Sequence, residues 1–196
     1  MKNIFIKGNS KMGDEVYIFN LPALKTCRPS PWCRANCYAL KGNFRKYPHV
    51  RQAAEWRYKI SKSPDFVDSA AEEIRRRNIK LVRLHSSGDF YSEEYARKWF
   101  SIAWQLPYTF FRTSTKRTDF VNIICEINSL PNFIVRESVD PSNSKPMMGI
   151  RIAAIDSMPE IKKRLKEKRI YKCINDCEKC GYFCWYNRVD VCFPKR

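Results

Sequence analysis

The chain has 196 residues and a formal net charge of +17, from 37 Lys and Arg against 20 Asp and Glu side chains. A hydrophobic fraction of 44% is enough for a packed core, which argues against wholesale disorder, and no apolar run approaches the ~18 residues that span a bilayer. The N-terminal segment lacks the apolar stretch of a secretory signal, so we expect a cytoplasmic protein with no membrane partner. The charge favours nucleic acid or a nucleotide as partner, although solubility alone would also explain it.

Short apolar strands alternate with helical patterns along most of the chain. A first hairpin strand is predicted within residues 3–7, followed by strands at 15–21, 79–85, 108–114, 132–138 and 148–155. Helices are predicted at 49–60, 65–77, 92–105, 118–127 and 159–170, and Ser92 can cap the third of them. Strand, helix and strand in this order predict parallel pairing with helical crossovers.

A complete eight-unit barrel needs about 250 residues, which is more than this chain supplies. We therefore expect an α/β fold in which residues 1–170 form a partial parallel (β/α) barrel, with an open doubly wound sheet as the alternative. Residues 171–196 are then a C-terminal Cys-rich, metal-binding segment packed on the barrel.

Ligands in such folds bind at the carboxyl ends of the strands. Here the first strand leads into a cysteine loop, and the next three end in the polar stretches 85–91, 112–117 and 136–142. Four polar endings on one rim of the sheet indicate a site. The candidate residues on this rim are His85, Ser87, Gly88, Asp89, Arg112, Thr115, Lys116, Arg136, Glu137 and Asp140.

The residue types suggest a division of roles on this rim. His85 and Asp89 are the candidate catalytic groups, with a hydrogen-bonded structural histidine as the alternative for His85. Arg112, Thr115 and Lys116 have the chemistry to bind a carboxylate or phosphate. Arg136, Glu137 and Asp140 are candidates for binding ribose hydroxyls or polar groups of a substrate. Each of these side chains could instead be a solvated strand end.

Cys27, Cys33 and Cys37 lie within eleven residues on the loop after the first long strand. In a reducing compartment such thiols bind metal more often than they form disulfides. Three thiolates can hold three corners of a [4Fe–4S] cluster and leave the fourth iron open to S-adenosylmethionine. The alternatives are a closed structural site with Cys125 or Cys192 as fourth ligand, and a zinc site with a histidine such as His49.

A second group of cysteines lies near the C-terminus. Cys173, Cys177, Cys180 and Cys184 are separated by three, two and three residues, a compact run closer to iron–sulfur ligation than to paired zinc knuckles. We predict an iron–sulfur site here, with zinc or buried thiols as alternatives. Cys125 is predicted to be a core residue on a helix, and Cys192 has no predicted role.

These motifs resemble two groups of proteins. The segments Asn9–Gly13, Cys37–Ala39, Ser87–Phe90 and Cys180–Trp185 resemble the gene product eighty-eight type family of phage and archaea. The cysteine loop after the first barrel strand also resembles the radical S-adenosylmethionine enzymes, although their usual spacing is three and two and Asn36 replaces their aromatic residue. That resemblance implies that Ser87, Gly88 and Asp89 receive the methionine amino group.

The leading functional hypothesis is an iron–sulfur enzyme of the radical S-adenosylmethionine type that acts on a nucleotide or nucleic acid. It would use an external electron donor, and the second cluster would be auxiliary. The alternative is a non-catalytic nucleic-acid-binding protein in which zinc or iron–sulfur sites stabilise the fold. A nuclease ranks lower, because no paired carboxylate motif for magnesium stands out.

Overall fold

The computed structural model describes residues 3–194, and these form an α/β fold around one mostly parallel sheet. The eight strands of this described part are β1 (Ile6–Lys7), β2 (Val16–Phe19), β3 (Leu81–Leu84), β4 (Phe110–Thr115), β5 (Phe133–Ser138), β6 (Ile152–Ile155), β7 (Tyr171–Lys172) and β8 (Val191–Phe193). The helices are α1 (Pro31–Ala35), α2 (Gly42–Lys46), α3 (Pro48–Ile60), α4 (Phe66–Arg76), α5 (Glu93–Trp104), α6 (Val121–Ser129), α7 (Pro159–Lys166) and α8 (Phe183–Tyr186).

The order of the strands across the sheet is β1-β2-β3-β4-β5-β6-β8-β7. From β2 to β6 every strand pairs in parallel with the next along the chain, and β1 pairs with β2 as an antiparallel hairpin, as predicted. The helices α4, α5 and α6, which connect these strands, contribute to one apolar cluster with the sheet, so they lie on the same face of it. A doubly wound sheet instead reverses its order next to the first strand.

Helix α5 shows how the sequence builds the main core. Ser92 caps it by accepting a hydrogen bond from the Tyr95 amide at 3.2 Å, as predicted, and two acidic residues occupy its first turn. Trp99 lies on its buried face and packs edge-on against Phe19, with 5.1 Å between ring centroids.

Among residues 3–194, no helix has both the length and the apolar character required to cross a membrane.

The opposite face of the sheet has its own apolar cluster. Side chains alternate along β4, so that Phe111 faces the helices while Phe110 packs against the C-terminal segment. Cys184 and Trp185 of α8 lie in this second cluster, together with Val16 from β2. The C-terminal segment therefore covers the face of the sheet away from the main core, and through β7 and β8 it also extends the sheet.

Cys125 does not lie in the core as predicted, and one tryptophan is also exposed. Cys125 is solvent-exposed because Ile123, Ile124 and Ile127 form the apolar stripe of α6 and turn the thiol outward. Trp104, at the last turn of α5, is 69% exposed. Helix α7 ends four residues before its predicted end, at Lys166, because the chain adopts a left-handed conformation at Lys168, where φ is +54°.

Candidate functional site

The four polar strand endings meet at the carboxyl edge of the sheet. The amide of Leu21, after β2, donates to the carbonyl of Ser87, after β3, at 3.0 Å. The Asp89 carboxylate accepts from the Thr115 hydroxyl at 2.7 Å and from the Lys116 amide at 2.9 Å, which links the ends of β3 and β4. Lys116 in turn donates through Nζ to the carbonyl of Ser138 at 2.9 Å, which joins the end of β5. The expected rim is thus one connected structure.

The cysteine loop lies along this rim and is fixed at its far end. Ser30 caps α1 by accepting from the Cys33 amide at 3.1 Å, and its hydroxyl donates to Oδ2 of Asp140 at 2.6 Å. The amide of Trp32 donates to the Ser142 hydroxyl at 3.1 Å. Because the loop starts at β2 and docks after β5, the cysteines are held over the ends of the strands between them.

Gly88 determines how closely the β3 loop approaches the cysteine loop. Its φ is +85°, and a Cβ at this position would lie 2.5 Å from Cβ of Leu21 and 2.8 Å from Oγ1 of Thr26. The space beside this glycine is therefore filled by the base of the cysteine loop. Ser87 binds the same base, since its hydroxyl donates to the Leu21 carbonyl at 2.8 Å. Both residues position the loop that contains the thiols.

The three thiols of the first loop interact with each other and with charged groups on the rim. Burial is the largest cause that raises the pKa of Cys27 to about 11, and the Asp89 carboxylate and the thiols of Cys33 and Cys37 contribute to the same shift. Burial also raises the pKa of Cys33, while the ammonium group of Lys116 opposes this shift. Since metals bind the thiolate, each of these thiols would release its proton on binding.

The donor chemistry of this loop fits a thiophilic metal or an iron–sulfur cluster, because three half-buried thiols lie within electrostatic reach of each other. All nine cysteines are free thiols. Within residues 3–194, no three His, Cys, Asp or Glu side chains are assembled in a metal-binding group. The fit therefore concerns the chemistry of the three donors and the loop that carries them.

The four C-terminal thiols form a second interacting group between β7 and β8. The Cys177 amide donates to the carbonyl of Lys11 at 3.0 Å, which ties the segment to the N-terminal loop. Burial is the largest cause that raises the pKa of Cys177 to about 11, and the thiols of Cys173, Cys180 and Cys184 contribute to the same shift. Cys192 is buried on the α7 side of β8, in an apolar cluster separate from that of Cys184.

Arg112 and Arg136 lie beneath this C-terminal segment and not on the rim with Lys116. Arg136 is fully buried, and its guanidinium donates to the carbonyls of Val189 at 2.9 Å and Asn187 at 2.7 Å. Arg112 is 4% exposed, and its Cζ lies 4.7 Å from the centroid of the Trp185 ring. Both side chains point this way because alternate residues of a strand face opposite sides of the sheet.

The buried positive charges of these two arginines repel each other. Burial, followed by repulsion from Arg112, lowers the pKa of Arg136 to about 10. The Nε atom of Arg112 is buried and has no hydrogen-bond partner within the described part of the chain. Neither guanidinium forms a salt bridge to a carboxylate among residues 3–194. Burial raises the pKa of Cys173 and of Cys177, and the positive charge of Arg112 opposes this shift without cancelling it.

His85 and Glu137 make their contacts inside the protein. Nε2 of His85 lies 3.0 Å from the Tyr95 hydroxyl, and burial lowers the pKa of the imidazole to about 3. The Glu137 carboxylate accepts hydrogen bonds from the amides of Met147 at 2.9 Å and Met148 at 2.8 Å. Their polar atoms are thus engaged in fixing α5 and the loop before β6, and a role in catalysis stays a prediction.

Two further residues contribute to the site although the sequence analysis gave them no role. Ser30 and Ser142 fix the cysteine loop to the end of β5. A signal for Ser30 was present, because serine directly before Pro31 is a common start of a helix. No local pattern indicates that Ser142 meets Trp32, since 110 residues separate them.

Comparison with known proteins gives one match. The family model described as gene product 88 matches residues 3–164, which include the first cysteine loop and all four strand endings, and it ends before Cys173. Neither the curated proteins nor the solved structures contain a match to the chain.

Proposed function

The chain belongs to the gene product 88 family, and we propose that it is a cytoplasmic iron–sulfur protein of the radical S-adenosylmethionine type, built on a partial (β/α) barrel. The consecutive parallel order of β2 to β6 supports this architecture. The proposal depends on one observation. Three half-buried thiols, those of Cys27, Cys33 and Cys37, lie on a single loop docked across the carboxyl ends of the parallel strands.

Cys27, Cys33 and Cys37 would hold a [4Fe–4S] cluster, which would supply one-electron reduction of S-adenosylmethionine at the iron without a protein ligand. Lys116 places a positive charge near Cys33, which favours the thiolate that such a cluster requires. Asp140 holds both Lys116, at 2.7 Å, and the cap of the loop helix. These residues orient the loop and balance its charge, as residues around a metal ligand commonly do.

The substrate in this proposal is a nucleotide or nucleic acid. The net charge of +17 favours a polyanion, and α7 exposes basic side chains from Lys162, Lys163 and Lys166 to solvent. An electron donor is a required partner for the reduction. Among the predicted cofactor ligands, Thr115 and Lys116 belong to the rim, whereas Arg112 and Arg136 belong to the second centre.

The second part of the proposal is a four-thiolate centre at Cys173, Cys177, Cys180 and Cys184. Four thiolates around Zn²⁺ or around a [4Fe–4S]²⁺ cluster leave a formal charge of about −2. Arg112 and Arg136 bring two buried positive charges to the same side of the sheet and lack carboxylate partners among the described residues. Since an unpaired buried charge is costly, this match of opposite charges supports a metal or cluster there.

The second candidate function is a non-catalytic nucleic-acid-binding protein in which the cysteine sites only stabilise the fold. It is favoured by the position of the C-terminal cysteines between β7 and β8, which are two and three residues long. Strands this short need additional ties to remain paired. In this reading a zinc ion at the C-terminal centre would be sufficient.

Anaerobic purification and reconstitution with iron and sulfide test the proposal. We expect brown protein with iron and sulfide bound at both centres, and 5′-deoxyadenosine on addition of S-adenosylmethionine and dithionite. Cys33→Ser should abolish product formation and lower the iron content. Cys125→Ser is the matched control, because its thiol is exposed on α6, and it should change neither. A colourless zinc protein, or iron content that Cys33→Ser leaves unchanged, would contradict the proposal, and salt-sensitive nucleic-acid binding without turnover would favour the second candidate.

A further inference from the structure

A groove of about 550 Å³ lies at the opposite edge of the sheet from the cysteine loop. It opens where β5, β6 and β8 begin, whereas the thiols lie where the strands end. Its lining includes the apolar side chains of Ile134, Pro146 and Ile150. A volume in this range is typical of pockets that bind small molecules. None of its lining residues was part of the candidate site described above.

Three arginines line this groove together with a single carboxylate, that of Asp190. Arg164 forms an ion pair with one oxygen of the Asp190 carboxylate. The other oxygen of this carboxylate accepts a hydrogen bond from the Ile152 amide at 3.0 Å. Arg188 is fixed as well, because its guanidinium donates to the carbonyls of Leu130 and, at 3.1 Å, Phe133. The groove therefore has an excess of positive charge, and two of its three cations are already oriented.

Arg151 is the third arginine, and it differs from the other two. Its backbone is held in place, since its carbonyl accepts a hydrogen bond from the Glu137 amide at 2.8 Å. Its side chain is exposed and has no hydrogen-bond or ion-pair partner among residues 3–194. A free guanidinium beside two fixed ones provides donors for an anion, and its planar, forked geometry suits a phosphate.

We propose that this groove binds a phosphorylated small molecule of the nucleotide class. The apolar side chains of Ile134 and Ile150 provide a surface for a base or ribose, and Arg151 provides the phosphate contact. The site is distinct from the proposed reaction centre, because the two lie at opposite edges of the sheet. It would serve as an effector or anchoring site, and it holds whether or not the cysteine loop binds a cluster.

Isothermal titration calorimetry of the full chain with ADP tests this proposal, with adenosine and inorganic phosphate as separate probes. We expect saturable binding of ADP, weaker binding of phosphate, and a decrease of about tenfold or more in ADP affinity in Arg151→Gln. Arg76→Gln, which removes an exposed arginine on α4, is the matched control and should bind as the parent does. Arg151→Lys keeps the charge without the forked geometry and should give an intermediate affinity.

Cys33→Ser should retain ADP binding, because the groove does not include the cysteine loop. The proposal would be overturned by the absence of saturable ADP binding, by equal loss of affinity in Arg151→Gln and Arg76→Gln, or by loss in Cys33→Ser but not in Arg151→Gln. Binding of a single-stranded oligonucleotide without binding of ADP would also overturn it, and would indicate a nucleic-acid surface. Circular dichroism of each variant shows that any loss of binding is not a loss of folding.

Discussion

Nζ of Lys116 lies 2.7 Å from Oδ2 of Asp140, and this buried ion pair joins the ends of β4 and β5. Burial alone would raise the pKa of Asp140, but the bonds from Lys116 and Ser30 outweigh it, so the pKa is lowered. The same carboxylate oxygen thus accepts from the strand end and from the cap of the cysteine loop. The position of Cys33 therefore depends on Asp140.

Replacing this carboxylate should destabilise the protein and free the loop. We expect Asp140→Asn to lower the free energy of unfolding by about 3 kcal/mol, because it leaves the Lys116 ammonium buried without its partner. The rate at which iodoacetamide alkylates Cys33 should rise. Glu126→Gln is the control, because Glu126 pairs with Arg97 at an exposed position and should cost no more than about 1 kcal/mol. An unchanged alkylation rate in Asp140→Asn would show that the ion pair does not fix the loop.

The contact at Gly88 predicts a similar effect through a different cause. Gly88→Ala should cost about 3 kcal/mol, because its Cβ would overlap Leu21 and its φ of +85° strains any side chain. Gly149→Ala has a φ of +67° but nothing within 4 Å of the new Cβ, so it should cost only about 1 kcal/mol. Thermal unfolding and the iron content after reconstitution measure both effects. Equal costs in the two variants would mean that close approach to the cysteine loop is unimportant.

The burial of His85 predicts that stability falls as the pH is lowered. Its folded pKa is about 3, below the ordinary value of 6.5, so between these values the unfolded chain binds a proton that the folded chain does not. The loss begins near pH 6.5 and approaches about 1.4 kcal/mol per pH unit below it. We expect His85→Asn, which tolerates the φ of +57°, to remove this part of the pH dependence.

Urea unfolding at several pH values between 7.5 and 5 checks this prediction. The difference in stability between the parent and His85→Asn should shrink as the pH falls, because only the parent loses the imidazole contribution. The Tyr95 hydroxyl is the ionisable neighbour hydrogen-bonded to the ring, and burial raises its pKa well above the ordinary value, so it does not titrate in this range. Two parallel curves would show that His85 is protonated as easily in the folded protein as in the unfolded chain.

Much of the fold, and the meeting of the polar strand ends at one edge of the sheet, could be predicted from sequence because the relevant signals are local. Ser92 before an amphipathic run marks the start of α5, and alternating strands and helices determine the parallel order. The order in turn places the polar ends of β2 to β5 on one edge, so the rim follows from connectivity. The bonds from Asp89 to Thr115 and Lys116 are a consequence of that arrangement.

The parts of the structure that the sequence analysis placed wrongly or missed also have physical causes. The sequence analysis placed Arg112 and Thr115 together on the rim because they lie three positions apart at the end of one strand. Successive residues of a strand face opposite sides of the sheet, however, so Arg112 lies on the other face. The short strands β7 and β8 were not predicted, because two or three residues show no periodicity. Without them, nothing in the sequence places the C-terminal thiols above Arg112. Long-range pairing, and not local propensity, decides this part of the structure.

Because Arg112 carries a buried charge, replacing it should stabilise the protein without a metal at the C-terminal cysteines and weaken the binding of that metal. Without a metal at the C-terminal cysteines, Arg112→Leu should raise the free energy of unfolding, because it replaces a buried guanidinium with an unpartnered Nε by an apolar group. With the metal bound, the same change should weaken the centre, since it removes one of two positive charges facing about two negative ones. We expect metal affinity to fall about tenfold, measured by competition with a chelator in a Cys33→Ser background.

Arg57→Leu is the matched control for this last test. Arg57 is also buried, but its charge is near that of Glu73 and its Nε donates to the carbonyl of Ile4 at 2.7 Å, far from the cysteines. Its replacement should destabilise the protein by the same amount with and without metal, because it breaks a satisfied contact in both states. If Arg112→Leu behaves like Arg57→Leu, the guanidinium of Arg112 only fills space beside Trp185. A gain in stability without metal together with a loss of metal affinity requires that the C-terminal thiols bind as anions.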